Sequence, residues 1–186
     1  MFDVSAFQVD SIDKNYYCSV SKDVAEAKKE YKYIEEMPTI CLSKPTLKVY
    51  RVLAVSNEIL NETLSSREDF LGEYSREIYV VVPLDYKKNG CLVYGAKWEN
   101  IFEIPDKHLH INKRYANNGY HELCIGVPQS FSKEKNAFLS SIRTAEHILR
   151  AYMLFLSNES KNINLLAYSH GEEGVKEYEK NQRKEK

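Results

Sequence analysis

The run Glu77-Ile-Tyr-Val-Val-Val-Pro-Leu84 constrains this chain more than any other stretch. β-Branched and aromatic side chains fit the pleated surface of a sheet, so these residues predict a strand. Asp85-Tyr-Lys-Lys-Asn-Gly90 follows as turn chemistry, and Cys91-Leu-Val-Tyr-Gly95 should pair back against the first strand. Upstream, Leu47, Val49, Leu53 and Val55 alternate along Pro45–Ser56 with only Arg51 breaking that face, which predicts a strand with one side on a core. Trp98, Phe102 and Ile104 suggest a further edge before Pro105. An antiparallel meander is therefore expected in the middle of the chain.

Helical periodicity flanks it. Ser21 stands where an N-cap belongs, ahead of Val24, Ala27, Tyr31 and Ile34, with Pro38 as a stop, so a helix is expected over 22–36. Before it, Tyr16–Val20 reads as a short strand. Residues 57–74 are polar with scattered apolar positions and fit either a long hairpin loop or a short helix. After Pro128, the positions Phe138, Ile142, Ala145, Leu149, Tyr152 and Leu156 recur in four- and three-residue steps, the core stripe of a long amphipathic helix, with His147 off the stripe and on the surface. The tail from Ile163 reads as a turn into a final short helix, and Asn181–Lys186 should fray.

A chain of 186 residues suits one domain with one core, here 1–186. With 26 basic and 27 acidic residues the net charge is -1, which provides no field to attract nucleic acid or an anionic membrane. No apolar run reaches the roughly 18 residues of a span and the N-terminus lacks the layout of a signal peptide, so a cytoplasmic protein is expected. Cys18, Cys41, Cys91 and Cys124 are widely spaced without a C-x-x-C pair, which argues for reduced thiols and against a zinc site. A metal held by His108, His110 and His121 lacks a carboxylate or second cysteine at ligand spacing, and no cofactor is expected. The 14 tyrosines are expected to cover half-buried strand surface with their hydroxyls wet.

The chemistry concentrates in 108–128, a polar loop carrying His108, His110, His121, Asn112, Asn117, Asn118 and Gly119 that runs into Leu123-Cys124-Ile125 and stops at Pro128. Such a loop can present a thiol with donors around it. A free cysteine more often packs as a small hydrophobe, and Leu-Cys-Ile-Gly-Val also fits a core strand.

The pattern His110-Ile-Asn112, then Gly119, then Leu123-Cys124, then Pro128 and Phe131 resembles the active-site segment of the ubiquitin-conjugating enzymes, in their bacterial branch. In that family a His-Pro-Asn tripeptide precedes a glycine-containing turn and an Ile/Leu-Cys pair; here Ile111 replaces the proline and the interval to Cys124 is longer. The resemblance implies an α+β fold: an N-terminal helix, an antiparallel β-meander, an active-site loop and C-terminal helices. It implies Cys124 as the acyl-accepting nucleophile, Asn112 as the amide that stabilises the oxyanion and His110 as a brace for the loop. It also implies a setting in bacterial antiphage defence, with the C-terminus of a cGAS-like nucleotidyltransferase as the acyl donor, and a protein lysine as acceptor. The tract Tyr168–Glu172 is similar to a post-helix segment of those relatives and would return toward the site.

Acyl exchange from an activated donor needs no triad, only the few per cent of thiolate that an ordinary cysteine holds at neutral pH. His121 is close enough in sequence to tune the thiol or deprotonate an incoming lysine, although on a strand an offset of three places it on the opposite face. Two other classes compete. A Cys–His hydrolase would pair Cys124 with His110, His121 or His170, and a non-catalytic binding module on the same fold would leave Cys124 buried or dispensable.

Overall fold

The strand pair read at 77–95 forms the middle of the sheet, in a computed structural model that describes residues 1–38, 44–95, 97–98, 110–126 and 128–157. Strand β3 (Glu77–Val82) pairs antiparallel with β2 (Lys48–Leu53) on one side and with β4 (Leu92–Gly95) on the other, and β1 (Ile34–Glu36) adds beyond β2. The meander is then extended by a hairpin of β5 (Ile111–Asn117) and β6 (Tyr120–Leu123), giving the order β1-β2-β3-β4-β6-β5. The chain is thus α+β, an antiparallel sheet with helices before and after it.

Strand register sorts the side chains into rows. Tyr50, Val80, Val93, Leu123 and Ile111 lie side by side across β2, β3, β4, β6 and β5, all on one face and all buried. One residue along each strand, Arg51, Tyr79, Tyr94, Glu122 and Asn112 form the neighbouring row on the other face.

Helix α5 (Ala137–Leu156) covers the first face, with Phe138 edge-on to Tyr50 at 5.4 Å between ring centroids. Its predicted stripe is buried from Phe138 through Ile142, Ala145 and Leu149 to Tyr152, all wholly inaccessible, while the last member, Leu156, is half-buried and His147 is exposed. Asn136 caps the helix by accepting the Leu139 N–H (2.9 Å) and ties it to the N-terminal helix by donating to the Asp23 carbonyl (2.9 Å).

That N-terminal helix is shifted from its predicted place. Helix α1 spans Lys14–Ala27, capped by Asp13, whose carboxylate accepts the Asn15 N–H, so Ser21 is interior and Tyr16–Val20 forms the early turns instead of a strand. Tyr16, Val20, Val24 and Ala27 are the buried stripe; Ile34, read as its continuation, leaves to pair with Val52 in β1. Of the alternatives for 57–74, the short helix is present as α2 (Asn57–Thr63), followed by a 3₁₀ turn over Glu68–Phe70. The expected turn at 85–90 is a one-turn helix, α3 (Tyr86–Asn89), closed by Gly90, and another short helix, α4 (Pro128–Phe131), precedes α5.

The second face of the sheet is covered by residues 1–9. Phe2, 3% exposed, stacks on Tyr79 at 4.4 Å and meets the edges of Tyr94 and Tyr120 at 5.4 and 5.9 Å. Tyr79, Tyr94 and Tyr120 cover strand surface as expected, while the hydroxyls of three others are not wet: Tyr16 donates to the Val82 carbonyl, Tyr31 to Glu146 and Tyr86 to Asp23, each tying a helix or loop to its neighbour. Among the described residues no helix is long and apolar enough to cross a membrane. Cys41, the edge read at Phe102–Ile104, the tail and its Tyr168–Glu172 tract lie outside the described residues.

Candidate functional site

The segment expected to deliver the cysteine as a polar loop is, from Ile111 onward, a β-hairpin. Asn118 and Gly119 both take positive φ, 49° and 84°, the requirement of the tight two-residue turn that matches strand twist. Asn117 and Asn118 do not approach the thiol. The Asn117 amide accepts the Asp3 N–H (2.7 Å) and donates to the Asp3 carbonyl (2.8 Å), while Asn118 donates to the Met1 carbonyl (3.0 Å). These side chains staple residues 1–3 to the hairpin's turn.

Cys124 stands at the opposite end, one residue past β6, where its N–H donates to the His110 carbonyl (2.8 Å) and continues the ladder. The His110 N–H in turn donates to the Tyr152 hydroxyl of α5. The His110 main chain therefore links the cysteine to the longest helix, so the hairpin end is held against the core independently of the turn. Leu123 and Ile111 anchor the same point from the buried face.

Alternation along the strands sorts the remaining candidates. Asn112 pairs with Glu122, and Cys124 lies two residues beyond Glu122, so Asn112, Glu122 and Cys124 share the face opposite Leu123. Diagonal neighbours across an antiparallel pair are about 7–8 Å apart, within reach of an acyl group on the sulfur. His121 pairs with Gly95 and Ala116 on the face of Leu123, so the structure does not bring it to the thiol's side; burial lowers its pKa and favours the neutral ring. His108 and His170 lie outside the described residues, and among the described residues no group of three His, Cys, Asp or Glu could hold a metal.

The thiols differ sharply. Cys18 is exposed on α1, and burial pushes the deeply enclosed Cys91 up to about 12, which makes it inert. Cys124 is partly exposed. Burial raises its pKa, the Gly126 N–H hydrogen-bonded to it works in the opposite direction, and the Glu122 carboxylate raises it further; the net shift is upward. Gly126 has φ 127°, a conformation that side chains rarely tolerate, while a Cβ there would meet nothing closer than 3.8 Å. Glycine is required at this position for backbone conformation, and the conformation aims an N–H at the sulfur.

Three contributors were not recognised from sequence. Glu122 was hidden because nothing marked β6 as a strand, although Asn118-Gly119 was a hairpin signal. Gly126 needed the turn geometry, and Tyr152 read only as core. Comparison with family models, with curated proteins and with solved structures finds no match for this chain.

Proposed function

We propose that this protein is an acyl carrier of the ubiquitin-conjugating type, in which Cys124 accepts a protein C-terminus as a thioester and passes it to an amine. The observation that carries the reading is the arrangement at the hairpin end. A partly exposed thiol is fixed through its own backbone to His110, with the Asn112 amide on the same face one diagonal away. His110 serves as the brace through its main chain, and Asn112 is the donor for the oxyanion that forms when the thioester carbonyl is attacked. The donor proposed is a cGAS-like nucleotidyltransferase of a bacterial antiphage defence system, and the acceptor a protein lysine.

The direction of the Cys124 shift favours transfer over hydrolysis. A Cys–His hydrolase depends on an imidazolium that lowers the thiol's pKa, whereas burial and Glu122 raise this one. A raised thiol still exchanges with an activated thioester, because the donor supplies the driving force.

Co-expression with the nucleotidyltransferase, followed by intact mass with and without thiol reductant, tests the reading. Wild type should carry a reductant-sensitive adduct, Cys124→Ser a more stable ester and Cys124→Ala none. An unchanged conjugate from Cys124→Ala would make the chain a binding module and overturn the proposal.

A further inference from the structure

Resting on the reading that Cys124 carries an acyl group, we infer that Glu122 is the general base for the transfer step, accepting the proton that the attacking amine must lose. Glu122 is on β6, flanked by Tyr94 of β4 and Asn112 of β5, and shares the face of Cys124. Two residues along a strand span about 6.6 Å, so an amine attacking a carbonyl on the sulfur arrives between the carboxylate and the thiol. Among the described residues no donor hydrogen-bonds this carboxylate and no cation pairs with it; its environment consists of partial burial. A half-buried carboxylate with no cation to hold it ionised is partly desolvated, and next to a thiol on the same face it is available for proton transfer. Partial burial raises its pKa from the ordinary glutamate value, which moves it toward the working pH of a base.

The step balances on these groups. The neutral amine nitrogen attacks the thioester carbonyl, the N–C bond forms, and the oxyanion rests on the Asn112 amide. As the tetrahedral intermediate collapses, the C–S bond breaks and its electron pair returns to the sulfur. The nitrogen proton passes to the Glu122 carboxylate and from there to the departing thiolate, whose raised pKa makes it the better proton acceptor. Products are an amide, a neutral Cys124 thiol and an ionised Glu122, ready for the next cycle. The other groups in this row are Tyr94, Tyr79 and, farther along it, Arg51, which pairs with Glu35; Tyr120, Asp3 of the N-terminal segment and Lys97, set over the Tyr120 ring at 4.9 Å, lie toward the turn end. Tyr94 is held protonated, with burial and Glu122 pushing it up to about 12.

The test uses the full chain carrying Cys18→Ser and Cys41→Ser, loaded at Cys124 by exchange with the alkyl thioester of a short peptide. The loaded protein is chased with free lysine from pH 6 to 9, and loss of the adduct is followed by intact mass. Glu122→Gln should keep its melting temperature and load at least as fast as the parent, because removing the carboxylate takes away one of the causes that raise the Cys124 thiol. It should transfer to lysine about 100-fold more slowly, the usual range for loss of a general base. Hydroxylamine, which attacks without help from a base, should discharge Glu122→Gln at least as fast as the parent, since the thiol that leaves is no longer raised by the carboxylate. Equal lysine rates and pH profiles for parent and Glu122→Gln would overturn the inference and leave the carrier reading intact. A parent that takes no acyl group at Cys124, from the peptide thioester or from the nucleotidyltransferase, would overturn both. A Glu122→Gln protein equally slow toward hydroxylamine would assign Glu122 to site geometry and also refute the base role.

Discussion

Phe2→Ala should destabilise the whole domain, even though Phe2 is the second residue of the chain. The ring is 3% exposed and sits among Phe7, Tyr79, Tyr94 and Tyr120, with centroids 4.4–5.9 Å away. Truncating a buried phenylalanine in a core costs about 3–5 kcal/mol. Here the lower end applies, because a terminal segment can detach and so avoid leaving a cavity. Its ties elsewhere include the Val9 N–H to the Pro45 carbonyl, the Leu47 N–H to the Phe7 carbonyl, and the Asn117 and Asn118 staples. We expect a loss of about 3 kcal/mol, equivalent to roughly 6–12 °C in Tm for a chain of this size. Urea unfolding should show a lower midpoint with little change in slope. A spectrophotometric tyrosine titration adds an independent readout, because uncovering the row beneath Phe2 should bring Tyr94 down from about 12 toward an ordinary phenol. A loss below about 1 kcal/mol with an unchanged titration would refute the idea that residues 1–9 form the second cover of the sheet.

Other outcomes concern single sites. Gly119→Ala places a side chain at φ 84° and should cost about 1–2 kcal/mol, seen by thermal unfolding; the nearby Lys97 Cε, 3.1 Å from the new Cβ, can move aside, so strain dominates. Cys124 titrates above an ordinary thiol, so in a Cys18→Ser, Cys41→Ser background its alkylation should rise at a higher pH than that of a short cysteine peptide, and Cys91 should react only on unfolding. Arg76 is 5% exposed; among the described residues its Nε has no partner, and its terminal nitrogen meets the Met153 sulfur at 3.4 Å. Arg76→Met should therefore be neutral or stabilising by about 1 kcal/mol in chemical denaturation.

Legibility in the sequence followed the range of the interactions that decide each element. β2, β3, β4 and α5 were legible because their own side chains carry the period, as Phe138, Ile142, Ala145, Leu149 and Tyr152 do. The first helix was misplaced because Tyr31 and Ile34 continue its apolar spacing, yet Ile34 is claimed by Val52, a partner that no local window contains. β5 was missed because Ile-Asn-Lys-Arg-Tyr-Ala-Asn is polar, as an edge strand can be, and its pairing is set by β6. At the candidate site, Cys124 and Asn112 stand out in the sequence through their resemblance to a motif. Their common face does not, since it depends on the register that pairs Asn112 with Glu122.

The raised thiol has a consequence for any carrier chemistry at Cys124. A thiol of higher pKa is a weaker leaving group, so its thioester resists both hydrolysis and adventitious amines. The burial that raises the pKa also limits the water able to reach the bond. Under the proposed carrier reading, slow spontaneous discharge would call for a local base, and among the described residues the carboxylate that the strand register sets beside Cys124 on its own face is that of Glu122. The hairpin is secured at both ends, by Tyr152 through His110 and by residues 1–3 through Asn117 and Asn118. If Cys124 carries an acyl group as proposed, fixing the thiol in this way would keep the acyl carbonyl, Asn112 and Glu122 in one geometry and leave the amine as the component that must arrive, which is where orientation contributes most to rate.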